Sequence, residues 1–84
     1  MNRKILVVDD CSQFVEDFSG LFPENIEVLG LFNASSFVRK SQRDNPYIGI
    51  DLLLVDLKMP GIDGFSFLRN QKERWGTLPT TMVV

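Results

Sequence analysis

Asp51-Leu52-Leu53-Leu54-Val55-Asp56-Leu57-Lys58-Met59-Pro60-Gly61-Ile62-Asp63-Gly64 is the stretch that decides how this chain folds. Its apolar run is continuous rather than alternating, the pattern of a strand buried on both faces, as in a parallel sheet covered by helices. Asp56 ends the run, and a Pro-Gly pair then turns the chain. The arrangement has a counterpart near the N-terminus, where Ile5-Leu6-Val7-Val8 runs into Asp9-Asp10. Two buried strands therefore each deliver carboxylates at their C-terminal tips.

Outward from these strands the pattern alternates. From Ser12, a candidate N-cap, Phe14, Val15, Phe18, Leu21 and Phe22 fall on one helical face, with Gly20 weakening the helix and Pro23 forbidding its continuation. Ile26 to Phe32 reads as a second strand. Asn33 then caps a helix running through Phe37 and Val38 toward Arg43, and Asn45-Pro46 breaks it. Ile50 to Val55 is the third strand. Asp63 or Gly64 opens a helix that carries Phe65, Phe67 and Leu68 inward and ends near Trp75-Gly76; Thr80 to Val84 is the fourth strand. Strand and helix alternate without a break, so right-handed crossovers are expected to place helices on both faces of a parallel α/β sheet. In such a sheet ligands gather beyond the carboxyl ends of the strands, where Asp9, Asp10 and Asp56 sit.

Composition narrows the function classes. At 84 residues the chain makes one small domain, with 44% hydrophobic residues including seven Phe, 24% charged residues and a net charge of −2. The nine basic residues are scattered and form no stripe interleaved with aromatics, which argues against nucleic acid. No apolar run approaches the roughly 18 to 20 residues of a membrane span. The single cysteine, Cys11, cannot close an internal disulfide, and the cytoplasm is the default compartment. With no histidine in the chain, zinc centres and imidazole catalysis are not expected.

If the first and third strands are neighbours, the three acids converge. Each like-charge pair then costs on the order of 4 kcal/mol at about 4 Å in an effective dielectric of about 20. A hard divalent cation such as Mg²⁺ offsets this, accepting carboxylate, carbonyl and water oxygens and suiting phosphate chemistry. The plainer alternative is that Asp9 and Asp10 stabilise the positive end of the following helix and Asp56 is a turn residue. It requires three acids on adjacent strand ends to coincide by chance.

Lys4-Ile5-Leu6-Val7-Val8-Asp9-Asp10, taken with residues 51–64 quoted above and with Leu78-Pro79-Thr80-Thr81-Met82-Val83-Val84, resembles the receiver domain of two-component response regulators. The resemblance implies a flavodoxin-like fold of strand order 2-1-3-4-5, here incomplete and limited to 2-1-3-4. It implies Asp56 as the phosphoacceptor and a Mg²⁺ ion held by Asp9, Asp10, Asp56 and the backbone carbonyl of Lys58. The implied donor is a sensor histidine kinase or phosphotransfer protein, and the implied role is that of a phosphoacceptor rather than an enzyme acting on other molecules.

Against that family pattern, residues 1–84 are expected to form a single truncated receiver domain lacking the end of strand four, helix four, strand five and helix five. The family's strand-four hydroxyl residue is expected at Val84 or, with a one-residue slip, just past it, and its strand-five Lys has no position among these residues. The uncovered edge of strand four is expected to invite pairing with a second copy, giving a homo-oligomer. Two other readings remain open: an association module derived from a receiver that has abandoned phosphotransfer, and a metal-dependent phosphohydrolase with an aspartyl nucleophile after strand one. The latter usually wants an Asp-x-Asp spacing, whereas Asp9 and Asp10 are adjacent.

Overall fold

Residues 2–40 and 43–84 are described by the computed structural model, which contains seven elements in strict alternation. They are β1 (Arg3–Val8), α1 (Ser12–Ser19), β2 (Ile26–Leu31), α2 (Ala34–Arg39), β3 (Leu52–Val55), α3 (Gly64–Trp75) and β4 (Thr80–Val83). The strands form one parallel sheet in the order β2-β1-β3-β4. This is the expected flavodoxin-like arrangement. β1 lies inside the sheet, with Ile5 to Val8 paired to Val28 to Leu31 on one side and to Leu52 to Val55 on the other.

The continuous apolar runs serve two faces, as their lack of alternation predicts. Ile5, Val7 and Leu54 pack with Val15, Phe18 and Phe22, so α1 covers one face. Leu6, Val8, Leu53 and Val55 pack with Ala34, Phe37, Val38, Phe67 and Leu68, so α2 and α3 cover the other. Val8, Leu53, Val55 and Phe67 have no solvent exposure. The core is thus centred on the strands that end in Asp9 and Asp56.

Several local expectations need correction. The N-cap of α1 is Cys11, not Ser12, and its side chain makes no capping bond. Phe14 and Leu21 are not core: Phe14 is 39% exposed and stacks on Phe18, while Leu21 is 78% exposed. The reason for Leu21 is geometric, because α1 ends at Ser19 and Leu21 lies past the Gly20 cap, off the helical projection. α2 stops at Arg39 instead of continuing toward Arg43; Lys40 is already extended (φ −85°, ψ 140°), and Ser41 and Gln42 lie outside the described residues. A helix of six residues with two serines and a valine has little intrinsic stability, and the burial of Ala34 with Phe37 and Val38 is what holds it. Phe65 points outward at 58% exposure.

The core also includes a pair the sequence did not announce. Tyr47, in the α2–β3 connection, is 5% exposed and donates its hydroxyl to Gln71 Oε1 at 2.6 Å; Gln71 is 1% exposed on the inner face of α3. Burial pushes the Tyr47 hydroxyl well above the usual range. The bond ties the approach to β3 to α3, the two elements that flank Asp56.

Candidate functional site

Parallel pairing brings the acids together. Val8 and Val55 are opposite one another as the last residues of β1 and β3, and the Asp56 N–H donates to the Val8 carbonyl at 2.9 Å. Asp9 N–H donates to the Leu31 carbonyl of β2 at 3.1 Å, so the chain leaves β1 held between both neighbours. One carboxylate oxygen from each of Asp9, Asp10 and Asp56 lies within 4.8 Å of the others. The side chains of Asp9 and Asp56 are half-buried and that of Asp10 is exposed. The basic residues of β1 do not compensate them, since Arg3 and Lys4 engage Asp51 and Glu27 at the other end of the strand.

Backbone donors orient two of the acids. Cys11 N–H donates to Asp9 Oδ1 at 3.0 Å, and Lys58 N–H donates to Asp56 Oδ1 at 3.2 Å. The loop after Asp56 is closed by Gly64 N–H bonding the Leu57 carbonyl at 2.8 Å, with Gly61 at φ 82° making the turn after Pro60. Asp63 caps α3, accepting the Ser66 N–H at 2.8 Å and the Ser66 hydroxyl at 3.1 Å, which lowers its pKa. The choice left open between Asp63 and Gly64 resolves as Asp63 at the cap and Gly64 as the first helical residue.

Burial raises the pKa of Asp9 above its ordinary 3.8, and the charges of Asp56 and Asp10 push in the same direction while the Cys11 N–H partly opposes them. The folded chain therefore binds this proton more tightly than the unfolded chain. Its contribution favours folding below the ordinary carboxylate range and is lost as pH rises through the raised value. At neutral pH the metal-free cluster carries unrelieved repulsion. Asp9→Asn keeps an oxygen for the Cys11 N–H and removes the charge, so in the presence of a chelator it is expected to raise the melting temperature at pH 7. The gain should shrink toward pH 4, and thermal melts across that range check both parts.

A small cavity of about 110 Å³ borders Asp10, lined also by Phe32, Asn33, Ala34, Met59 and Pro60. Phe32 and Asn33 reach it from the β2–α2 connection. Sequence reasoning treated them only as a strand end and a helix cap, and Asn33 does fill the capping role by accepting the Ser36 N–H at 2.9 Å. Lys58 is exposed, and Trp75 packs against the core with the Arg74 guanidinium 4.8 Å above its ring.

Residues 5–84 match the family model described as the response regulator receiver domain. The chain belongs to that family. Its sequence is 35% identical over 74 residues to the response regulator PleD of Caulobacter vibrioides, covering 87% of this chain and 15% of that protein. The fold superposes on a response regulator receiver domain protein from Clostridium thermocellum with a TM-score of 0.72 at 27% identity, over 96% of this chain and 63% of that one. It also matches the receiver domain of the hybrid histidine kinase CckA, at 29% identity and a TM-score of 0.63, over 95% of this chain and 72% of that one. This receiver chain thus spans under a sixth of its curated relative and about two-thirds of the solved domains. Receiver domains are in general phosphoacceptors, and in this chain Asp9, Asp10 and Asp56 form an acidic cluster at the ends of neighbouring strands.

Proposed function

We propose that this receiver accepts a phosphoryl group on Asp56 from a sensor histidine kinase or phosphotransfer protein, with Mg²⁺ held by Asp9, Asp10, Asp56 and the Lys58 carbonyl. The observation that carries the reading is the approach of three carboxylate oxygens to within 4.8 Å at the ends of neighbouring parallel strands. An all-oxygen, trianionic donor set fits a hard divalent cation and fits little else. When bound, Mg²⁺ offsets charge on the phosphoryl oxygens during transfer.

The chain's own residues then have definite tasks. Lys58 N–H holds Asp56 Oδ1, leaving Oδ2 to attack phosphorus. The new bond joins this carboxylate oxygen to phosphorus, the phosphorus–nitrogen bond to the donor imidazole breaks, and the freed imidazole takes up a proton. The product on Asp56 is an acyl phosphate. Incubation with Mg²⁺ and a small acyl phosphate is expected to add one phosphoryl group by intact mass, labile to hydroxylamine. No added mass, with the protein folded, sinks the reading for this chain.

A second reading concerns association. Among the described residues β4 pairs with β3 alone, and Met82 on it and Val84 just beyond it are 53% and 59% exposed. An uncovered edge strand of this kind can template another strand. In this reading the 84-residue chain forms a homo-oligomer through β4, and light scattering at high micromolar concentration is expected to give at least a dimer mass. A monomer mass there removes it without touching phosphoacceptance.

A further inference from the structure

We propose that Gly64 is a positioning residue for the acceptor, its missing side chain letting α3 close against the backbone of Asp56 itself. The inference rests on the phosphoacceptor and metal reading above. Gly64 is buried, and a Cβ placed on it would lie 2.7 Å from the Asp56 carbonyl oxygen, 3.3 Å from its carbon and 3.1 Å from the Leu57 Cα. All three are backbone atoms, so no rotamer change relieves the contact.

The backbone at Asp56 and Leu57 is held by three elements at once. Asp56 N–H bonds the Val8 carbonyl at 2.9 Å, Leu57 N–H bonds the Val84 carbonyl at 2.8 Å, and the Leu57 carbonyl accepts Gly64 N–H at 2.8 Å. The ends of β1 and β4 and the start of α3 thus meet at the peptide from which the acceptor carboxylate hangs. A side chain at position 64 must either lift the first turn of α3 or drive Asp56 and Leu57 into a sheet whose flanking Val8 and Val55 have no exposed surface to yield. Either shift redirects the Asp56 carboxylate and the Lys58 carbonyl. Mg²⁺ demands near-ideal octahedral geometry, so donor displacement weakens it well before the fold is lost.

Gly76 supplies the comparison. It caps the other end of α3 at φ 84°, where a side chain strains the backbone but meets nothing within 4 Å. Calorimetric Mg²⁺ titration and thermal melts of the whole chain are to be run on the parent, Gly64→Ala and Gly76→Ala. Both variants are expected to melt lower, but only Gly64→Ala should lose Mg²⁺ affinity, by about tenfold or more. A folded Gly64→Ala that binds Mg²⁺ like the parent, or equal affinity losses in the two variants, overturns the proposal.

Amide exchange on the parent decides the matter if Gly64→Ala does not fold. The Leu57 and Gly64 amides are expected to be protected in the metal-free chain as strongly as those within β1 and β3. Exchange at open-loop rates there overturns the proposal, since nothing is then preformed. Failure of the parent to bind Mg²⁺ at all removes the underlying site reading and this inference with it, whereas parent binding with an unimpaired Gly64→Ala removes the inference alone.

Discussion

Asp56→Asn is expected to gain no phosphoryl group in a mixture of Mg²⁺ and acyl phosphate that adds one to the parent chain. The substitution is nearly isosteric. The amide oxygen it introduces can still accept the Lys58 N–H that Asp56 Oδ1 accepts at 3.2 Å, and the N–H bond from position 56 to Val8 belongs to the backbone. The fold should therefore survive with an unchanged circular dichroism spectrum. What is lost is the anionic nucleophile, because a neutral amide oxygen is a far weaker attacking group at phosphorus. One of the three clustered carboxylate charges goes with it. Asp63→Asn is the matched control: an exposed acid in the same loop, where asparagine serves as well at the helix cap. It should be labelled like the parent. Label retained in Asp56→Asn, mapped to another residue, would remove Asp56 from its role.

Phe67→Ala carries the largest stability effect. Phe67 has no exposed surface, lies 6.4 Å centroid to centroid from Phe37 of α2, and packs in the cluster that includes Val8, Leu53 and Val55. Truncating a buried phenylalanine costs about 3–5 kcal/mol. Small domains hold on the order of 5 kcal/mol, so the variant should be largely unfolded at 37 °C. Urea denaturation at low temperature measures the loss, and Phe65→Ala, two residues earlier on the same helix but 58% exposed, should stay within about 0.5 kcal/mol of the parent. A Phe67→Ala midpoint matching that of Phe65→Ala would mean the interior of this sheet face is not packed as described.

The contrast between these two residues shows what the chain's pattern could and could not disclose. The first and third strands were legible because four consecutive apolar residues before an acid leave few alternatives. Their adjacency was only a condition in the pattern itself and was implied by the receiver resemblance, which is why the meeting of Asp9, Asp10 and Asp56 could be anticipated from two segments more than forty residues apart. Helix faces were harder. Phe65 and Phe67 are chemically identical and differ by about 200° around α3. The apolar pattern of so short a helix does not say which of them meets the sheet. Gly20 ends α1 before Leu21 for reasons of local backbone geometry, and the extended Lys40 does the same to α2. Tyr47 and Gln71 illustrate a different limit, because a polar residue becomes core only when its partner is brought to it across the fold. Neither position carries a periodic signal. Around the acids, the loop contacts of Gly64 with Asp56 and Leu57 depend on distances of a few tenths of an ångström that spacing does not encode.

The interior position of β1 has a consequence for biosynthesis. Its residues leave the ribosome before those of β2 and β3, so Arg3 waits for Ile26 and Ile5 waits for Leu52 before either flank is filled. At translation rates of about 5–20 residues per second, Ile5 to Val8 spend seconds as a sticky, unsatisfied segment on the nascent chain. Slow decoding between the codons for Leu31 and Leu52, a stretch that contributes no acid to the cluster, would lengthen that window.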